Sequence, residues 1–150
     1  MSSVWFYHLE RSTLEQALPP LLEKCLQRGW RALVRGALAE RLDLLDQALW
    51  SWRDDSFLPH GLDGRDAAER QPILLTTAPV GVVNGAKALF LVDGADFEDA
   101  TAFERASVMF DGRSESAVSH ARGQWKAAKD AGHETAYWKE TAQGRWEKAL

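Results

Sequence analysis

The stretch VWFYHLERSTLEQALPPLLEKCLQRGWRALVRG, residues 4–36, decides the fold class. It begins with a short aromatic and apolar run at 4–9, which is typical of a buried strand. Leucines then recur at helical spacing as far as Leu26, and Gly29 is placed to end that helix. A second apolar run follows at 30–35. This succession of strand, helix and strand is typical of an α/β domain.

The start of the first helix carries two signals. Ser12 and Glu15 have the spacing of a capping box ahead of the leucine pattern. Pro19 and Pro20 interrupt that pattern a few residues later. Either the helix begins at the prolines, where the missing N–H groups cost nothing, or it begins earlier and is kinked.

The same alternation of strands and helices continues to the C-terminus. Leucines from Leu38 to Leu49 predict a second helix that ends near Trp50. The run ALFLV at 88–92 is apolar throughout, as in a strand buried on both faces. The remaining predictions are a loop at 51–71, strands at 72–76, 107–110 and 135–138, helices at 97–105 and 114–131, and a helical or frayed tail at 139–150. We therefore predict a single domain over residues 1–150, with a Rossmann-like sheet and helices on both faces.

Sequence signatures of nucleotide binding and catalysis are missing. The turn after the first strand, residues 10–13, contains no glycine, and neither G-x-G-x-x-G nor a Walker A lysine motif occurs. The four histidines do not stand at metal-ligand spacing, and there is no G-x-S-x-G for a nucleophile. We predict no nucleotide-binding glycine loop, no cofactor and no catalytic residue.

An acidic cluster after the strand at 88–92 offers one alternative. Asp93, Asp96, Glu98 and Asp99 follow a buried strand, and carboxylates at that edge hold Mg²⁺ in some α/β enzymes. A metal-dependent enzyme using Asp93, Asp96 and Asp99 is therefore the alternative hypothesis. The interpretation we favour is a turn whose acids precede a helix N-terminus, because such acids are routine there.

Charge and cysteine content exclude other classes. The net charge is −4, whereas a domain that grips DNA usually carries a basic excess, so we expect only indirect contact with DNA. The single cysteine, Cys25, cannot form an internal disulfide and fits a buried apolar position. No run reaches the ~18 apolar residues of a membrane span, and no leader pattern begins the chain. These features predict a reducing cytoplasm and no membrane partner.

The long helix at 114–131 carries the first candidate binding surface. Arg122, Trp125, Lys126 and Lys129 recur at i, i+3, i+4 and i+7, which places them on one helix face. An indole flanked by cations fits an acidic peptide, because it walls an apolar pocket while arginine grips a carboxylate. Two interpretations stay open: the ring is exposed for binding, or it is core with a solvated cationic rim.

The second candidate is the aromatic segment WSWRDDSFLPHGL, residues 50–62. Large apolar groups without helical or strand periodicity are hard to bury together, so they indicate a protein interface. The alternative is a loop that packs over the sheet edge.

Together these residues resemble the chi subunit of bacterial DNA polymerase III holoenzyme. The strongest part is LDQALWSWRDDSFLPHGL at 45–62, with the Ser-Phe-x-Pro-His pattern of that family. The aromatic strand around Trp5, the segment 29–34 and the block 121–138 extend it, and it is lost only at 139–150. The family has a further lysine one turn before Arg122, where this chain has Val118.

The resemblance implies a non-catalytic accessory subunit of the clamp-loader complex, with no nucleotide site. Such a subunit binds the C-terminal tail of single-strand DNA-binding protein and connects it to the clamp loader, through the psi subunit or directly. Arg122, Trp125 and Lys126 match positions that receive the tail, and Lys129 would compensate for Val118. The positions matching the psi or clamp-loader surface are Trp50, Phe57, Leu58, Pro59 and His60.

Overall fold

The computed structural model describes residues 2–52, 58–64, 67–79, 81, 84–96 and 100–149. Within these ranges the helices are α1 (Leu14–Gln27), α2 (Ala39–Trp50) and α3 (Glu115–Asp130). The strands are β1 (Ser3–Leu9), β2 (Ala32–Gly36), β3 (His60–Leu62), β4 (Ile73–Thr76), β5 (Ala88–Val92), β6 (Arg105–Asp111), β7 (Glu134–Glu140) and β8 (Trp146–Lys148). The prediction of a mixed α/β protein is confirmed.

The described strands form one sheet in the order β3-β4-β2-β5-β6-β1-β7-β8. Strands β1 to β7 pair in parallel, and β8 returns antiparallel along β7. The first strand of the chain therefore lies between β6 and β7, the last two long strands. All five residues of β5 are buried, as the unbroken apolar run predicted.

The sheet separates two hydrophobic clusters. Helices α1 and α2 cover one face, where Leu18, Leu22 and Leu45 meet the strands. Helix α3 covers the other face and contributes the buried residues Ala121 and Ala128. Alternation along β1 divides its side chains between the two clusters, with Tyr7 and Leu9 in the first cluster and Val4 and Phe6 in the second.

Helix α1 begins one residue later than its capping signal predicted. The N-cap is Thr13, whose hydroxyl accepts from the amide of Gln16, while the Gln16 side chain accepts from the Thr13 amide. The predicted capping box of Ser12 and Glu15 is therefore wrong, because the Ser12 hydroxyl donates instead to the carboxylate of Glu140 at the end of β7. The helix runs through Pro19 and Pro20, so the prediction that it starts at the prolines is wrong too.

Three further segments differ from the sequence predictions. The segment 51–71, predicted as a loop, contains strand β3 and a short 3-10 turn at Ala68–Arg70. The predicted helix at 97–105 reduces, where it is described, to the 3-10 turn Ala100–Ala102, and β6 begins at Arg105. The tail is neither helical nor frayed at Trp146–Lys148, because this stretch pairs with β7 as β8.

Candidate protein-binding site

Helix α3 presents a cationic face to solvent. Ser114 caps its start by accepting a hydrogen bond from the amide of Ala117 at 3.3 Å. Ala121, Gln124 and Ala128 turn inward, so the helical repeat turns the intervening residues outward. The exposed residues of that outer face include Arg122, Lys126 and Lys129. These three predicted cations are therefore exposed on one helix, and their role in binding a partner stays a prediction.

Trp125 lies at the boundary between this cationic face and the core. Its ring is half-buried and packs edge-on against Phe6, with centroids 5.2 Å apart, and against Tyr137 at 5.8 Å. The Lys129 Nζ stands 5.4 Å from the centroid of the same indole, within the range of a cation–π contact. Each interpretation from the sequence therefore holds in part, since the ring is anchored in the core yet partly open to solvent.

The cations around Trp125 form no ion pairs with the described part of the chain. Among the described residues, no carboxylate oxygen lies within 4.0 Å of Arg122, Lys126 or Lys129. Burial raises the pKa of Tyr137 above its usual value, and the positive charge of Arg122 acts against that rise. The positive charge of Arg122 therefore acts on Tyr137, the ring that packs beside Trp125. The arrangement can receive an anion next to an apolar surface.

Tyr137 and His8 support this site and were not predicted as part of it. The Tyr137 hydroxyl and the Nδ1 of His8 are 2.5 Å apart, and the His8 ring packs edge-on against Phe110 with centroids 5.0 Å apart. Burial lowers the pKa of His8 below its usual value, partly offset by the nearby carboxylate of Glu10. Parallel pairing brings Phe6 opposite Tyr137. Local sequence patterns carry no signal for that pairing, because it depends on strand order.

Val118 lies one turn before Arg122 on α3 and is half-buried. It packs against the cluster beneath the helix rather than extending the cationic face. The cationic face of this chain therefore begins at Arg122 and extends toward Lys129.

The second candidate surface is only partly exposed. Trp50, at the end of α2, is 59% exposed and its ring centroid lies 4.7 Å from that of His60. Leu58 and His60 are buried, and the Nδ1 of His60 lies 2.6 Å from the carbonyl oxygen of Leu58. Pro59 is half-buried, and Phe57 lies outside the described residues. Among the described members of this group, Trp50 is the most exposed, and Leu58 and His60 are enclosed.

The acidic cluster after β5 is divided between separate partners. Asp93 accepts from the Nε of Arg41 at 3.2 Å, and Asp96 lies 2.9 Å from the Nε2 of His120. Asp99 and Glu98 lie outside the described residues. Where side chains are described, no three acidic, histidine or cysteine groups come together in a way that would hold a metal ion. The magnesium hypothesis therefore receives no support.

The turn between β1 and α1 is occupied by a carboxylate from the chain itself. One oxygen of Glu140 accepts hydrogen bonds from the backbone amides of Glu10, Arg11 and Ser12, at 3.1, 2.7 and 2.9 Å. The Ser12 hydroxyl donates to the other oxygen. Parallel α/β folds that bind nucleotides receive phosphate at this turn. In this chain the same backbone N–H groups bind an internal anion.

Comparison with known proteins assigns the family. The model of the family described as "DNA polymerase III chi subunit, HolC" matches residues 1–136. The chain belongs to the DNA polymerase III chi subunit family. A relative from Rickettsia prowazekii (strain Madrid E), named "Probable DNA polymerase III subunit chi", is 25% identical over 76 residues. That alignment covers 51% of this chain and 46% of the relative, so the chain matches about half of that protein's length.

The chi-family match includes both candidate surfaces. Residues 1–136 contain α3 with its cations and the aromatic segment around Trp50, whereas Tyr137, Glu140 and β8 follow the matched region. Family membership places the chain among DNA polymerase III chi subunits. Within the described ranges, no helix combines the length and the apolar composition that crossing a bilayer requires.

Proposed function

We propose that this chi-family protein is a non-catalytic adaptor that binds the acidic C-terminal tail of single-strand DNA-binding protein on helix α3. Arg122, Lys126 and Lys129 would receive the tail's carboxylates, and Trp125 would wall the pocket for its terminal aromatic residue. One observation carries the proposal: a half-buried indole, anchored on Phe6 and Tyr137, lies beside exposed cations that have no carboxylate partner among the described residues.

The energetics fit a contact that must form and break. Burial of one phenylalanine contributes about 2–3 kcal/mol, and each charge-assisted hydrogen bond contributes roughly 1.5–3 kcal/mol. Ordering a flexible tail costs several kcal/mol, so a net of about −8 kcal/mol, which corresponds to micromolar affinity, is reasonable. Because the cations are exposed, we expect the affinity to fall as salt is raised.

The proposal extends to the rest of the assembly and to the fold. We propose that the surface at Trp50, with Pro59 and Phe57, contacts psi or a clamp-loader subunit, and that Leu58 and His60 hold it in place. The Glu140 carboxylate at the β1–α1 turn supports a Rossmann-like fold without a nucleotide site, because an internal anion uses the amides that would bind phosphate. DNA would be reached only through these protein partners.

Fluorescence anisotropy with a labelled peptide ending in Asp-Ile-Pro-Phe tests the tail site. Arg122→Ala and Lys126→Ala should each weaken binding about tenfold, equivalent to about 1.4 kcal/mol. Trp125→Ala should weaken it at least as much, but it also removes packing against Phe6, so the two cation variants decide the assignment. Arg11→Ala, which removes an exposed guanidinium from a different element, should leave the affinity unchanged.

An unlabelled competitor that lacks the final phenylalanine separates the apolar contact from the charges. It should compete at least tenfold less well than the complete peptide. Wild-type affinity in both Arg122→Ala and Lys126→Ala would refute the placement of the tail on α3.

A further inference from the structure

A cavity of about 390 Å³ lies on the face of the sheet opposite helix α3. It opens between the second half of α1 and strands β1, β6, β7 and β8. Its floor is apolar and includes Leu21, Cys25 and Phe90. None of the residues proposed to bind the tail or psi lines it.

Aromatic rings form the walls of this cavity and hold one another in place. The rings of Trp5 and Trp138 are 5.4 Å apart, and Trp146 packs edge-on against Tyr7 at 5.0 Å. The indole Nε1 of Trp138 is buried and has no hydrogen-bond acceptor among the described residues. The cavity is thus a preformed aromatic pocket, and the Trp138 ring lines it while its Nε1 stays enclosed.

Two guanidinium groups give the cavity an uncompensated positive charge. The Cζ of Arg105 lies 3.7 Å from the Trp5 ring centroid, and that of Arg28 lies 4.1 Å from the Trp30 centroid. In the described part of the chain, neither arginine has a carboxylate oxygen within 4.0 Å. Burial lowers the pKa of Arg105 and the proximity of Arg28 lowers it further, although Tyr7 acts in the opposite sense.

The two acidic groups beside these arginines stay neutral. Burial raises the pKa of Tyr7 to about 12, despite the opposing charge of Arg105, and burial also raises the pKa of the Cys25 thiol. Neither group therefore supplies a counter-charge at neutral pH. A bound anion would therefore supply the negative charge opposite these two arginines.

The position of the cavity restricts the kind of anion. Its lining from α1 comes from the C-terminal half of that helix, including Lys24, Gln27 and the C-cap Arg28. A helix C-terminus carries partial negative charge, which disfavours a dianionic phosphate more than a single carboxylate. A single carboxylate, neutralised by an arginine fork, suits this environment better. The volume lies at the lower end of the range for ligand sites, which fits one aromatic group.

We propose that this cavity binds an aromatic group bearing a single carboxylate, at a site separate from helix α3. The ring would contact Trp5, Trp138 and Trp146, and the carboxylate would lie between Arg28 and Arg105. Two sources share this chemistry: a free aromatic acid, and the aromatic C-terminal residue of a peptide.

NMR of the seven tryptophan indole N–H groups in the full-length chain tests the proposal. Titration with N-acetyl-L-phenylalanine should shift the signals of Trp5, Trp138 and Trp146, and these shifts should persist in Arg122→Ala, which removes a cation of the separate α3 site. N-acetyl-L-phenylalanine amide, which lacks the charge, and phenyl phosphate, which carries a second one, should each bind at least tenfold more weakly. Shifts confined to Trp125, or equal affinity for the amide, would overturn the proposal.

Variants and a longer probe complete the test. Arg28→Ala changes an exposed side chain at the helix end and should weaken the affinity reported by the shifts of Trp5, Trp138 and Trp146 about tenfold, whereas Arg11→Ala should not. Unchanged binding at these three signals in Arg28→Ala would refute the site. Acetyl-Gly-Gly-Phe decides the source: tighter binding than the free acid assigns the site to peptide ends, and weaker binding assigns it to free acids. Arg28→Ala should leave the shift of the Trp125 signal by the tail peptide intact, so the two sites fail or succeed separately.

Discussion

At the scale of single residues, Glu140 connects the end of β7 to the turn that starts α1. Its carboxylate is almost fully buried and binds three backbone amides and one hydroxyl of residues 10–12. Burial by itself raises the pKa of Glu140, but the hydrogen bonds from Ser12 and from the amides of Arg11 and Glu10 outweigh burial and lower it. A buried carboxylate with this many donors stabilises the folded state only while it is ionised.

Replacing this carboxylate should therefore destabilise the protein in a pH-dependent way. We expect Glu140→Gln to lower the free energy of unfolding by roughly 2 kcal/mol at pH 7, because hydrogen bonds to charged groups contribute about 1.5–3 kcal/mol. The folded pKa lies below the unfolded one, so the stabilisation is complete above the ordinary glutamate value of about 4.3 and is lost as pH falls through the folded pKa. Urea unfolding between pH 3 and 7 measures the difference.

Glu147→Gln is the matched control for that experiment. Glu147 is exposed on β8, so its replacement should change stability by less than about 0.5 kcal/mol at either pH. A Glu140→Gln deficit that is as large at pH 3 as at pH 7 would contradict an ionised, hydrogen-bonded carboxylate.

At the scale of elements, long and strongly periodic segments were predictable from the sequence. The leucine repeat placed α2, the unbroken apolar run placed β5, and the cap residues placed α3 within a residue of its ends. Short strands were not predictable, because β3 and β8 have three residues each and form through pairing with β4 and β7. Hydrogen bonds to a neighbouring strand decided their conformation rather than any intrinsic preference of three residues.

The candidate site on α3 was likewise predictable from the sequence only in part. Helical spacing identified Arg122, Trp125, Lys126 and Lys129 as neighbours, because that information is local to α3. Tyr137 and Phe6, which anchor the indole, were missed because they come from two strands whose adjacency follows from the order of the sheet. Binding of the tail at this site stays a prediction until it is measured.

Two glycines, one before α3 and one inside it, should respond in opposite directions to alanine. A Cβ at Gly112, between β6 and α3, would lie 2.0 Å from the Nε2 of His8 and 2.8 Å from the Leu9 carbonyl oxygen. A Cβ at Gly123, inside α3, would meet no atom within 4 Å. We expect Gly112→Ala to destabilise by about 1–3 kcal/mol through overpacking, and Gly123→Ala to stabilise by roughly 0.5–1 kcal/mol.

Thermal and urea unfolding of the two variants measure these shifts. Gly112→Ala should also displace the His8 ring from Tyr137, which the NMR titration of His8 reports as a changed pKa. Stabilisation by Gly112→Ala would contradict the close approach of β1 to the turn after β6. A loss of stability in Gly123→Ala would contradict the open helix surface beside Arg122.

At the scale of the whole molecule, the two proposed surfaces lie on opposite faces of the sheet. Helix α2, which ends at Trp50, packs with α1 over one hydrophobic cluster, and α3 packs over the other. The chain has a net charge of −4, so the cationic face of α3 is a local exception. The proposed adaptor role requires two separate surfaces, because one partner must not displace the other.

Because the two surfaces lie on opposite faces, we expect both partners to bind at the same time. Neither should change the affinity for the other. Trp50→Ala, which removes an indole that is 59% exposed, should weaken the complex with psi or a clamp-loader subunit at least tenfold and leave affinity for the tail peptide unchanged. Arg122→Ala should show the reverse pattern. Leu38→Ala, equally placed on the surface at the start of α2, serves as the control and should affect neither complex. Analytical ultracentrifugation with both partners should detect one ternary species, and its replacement by two mutually exclusive binary complexes would contradict an adaptor built from opposite faces.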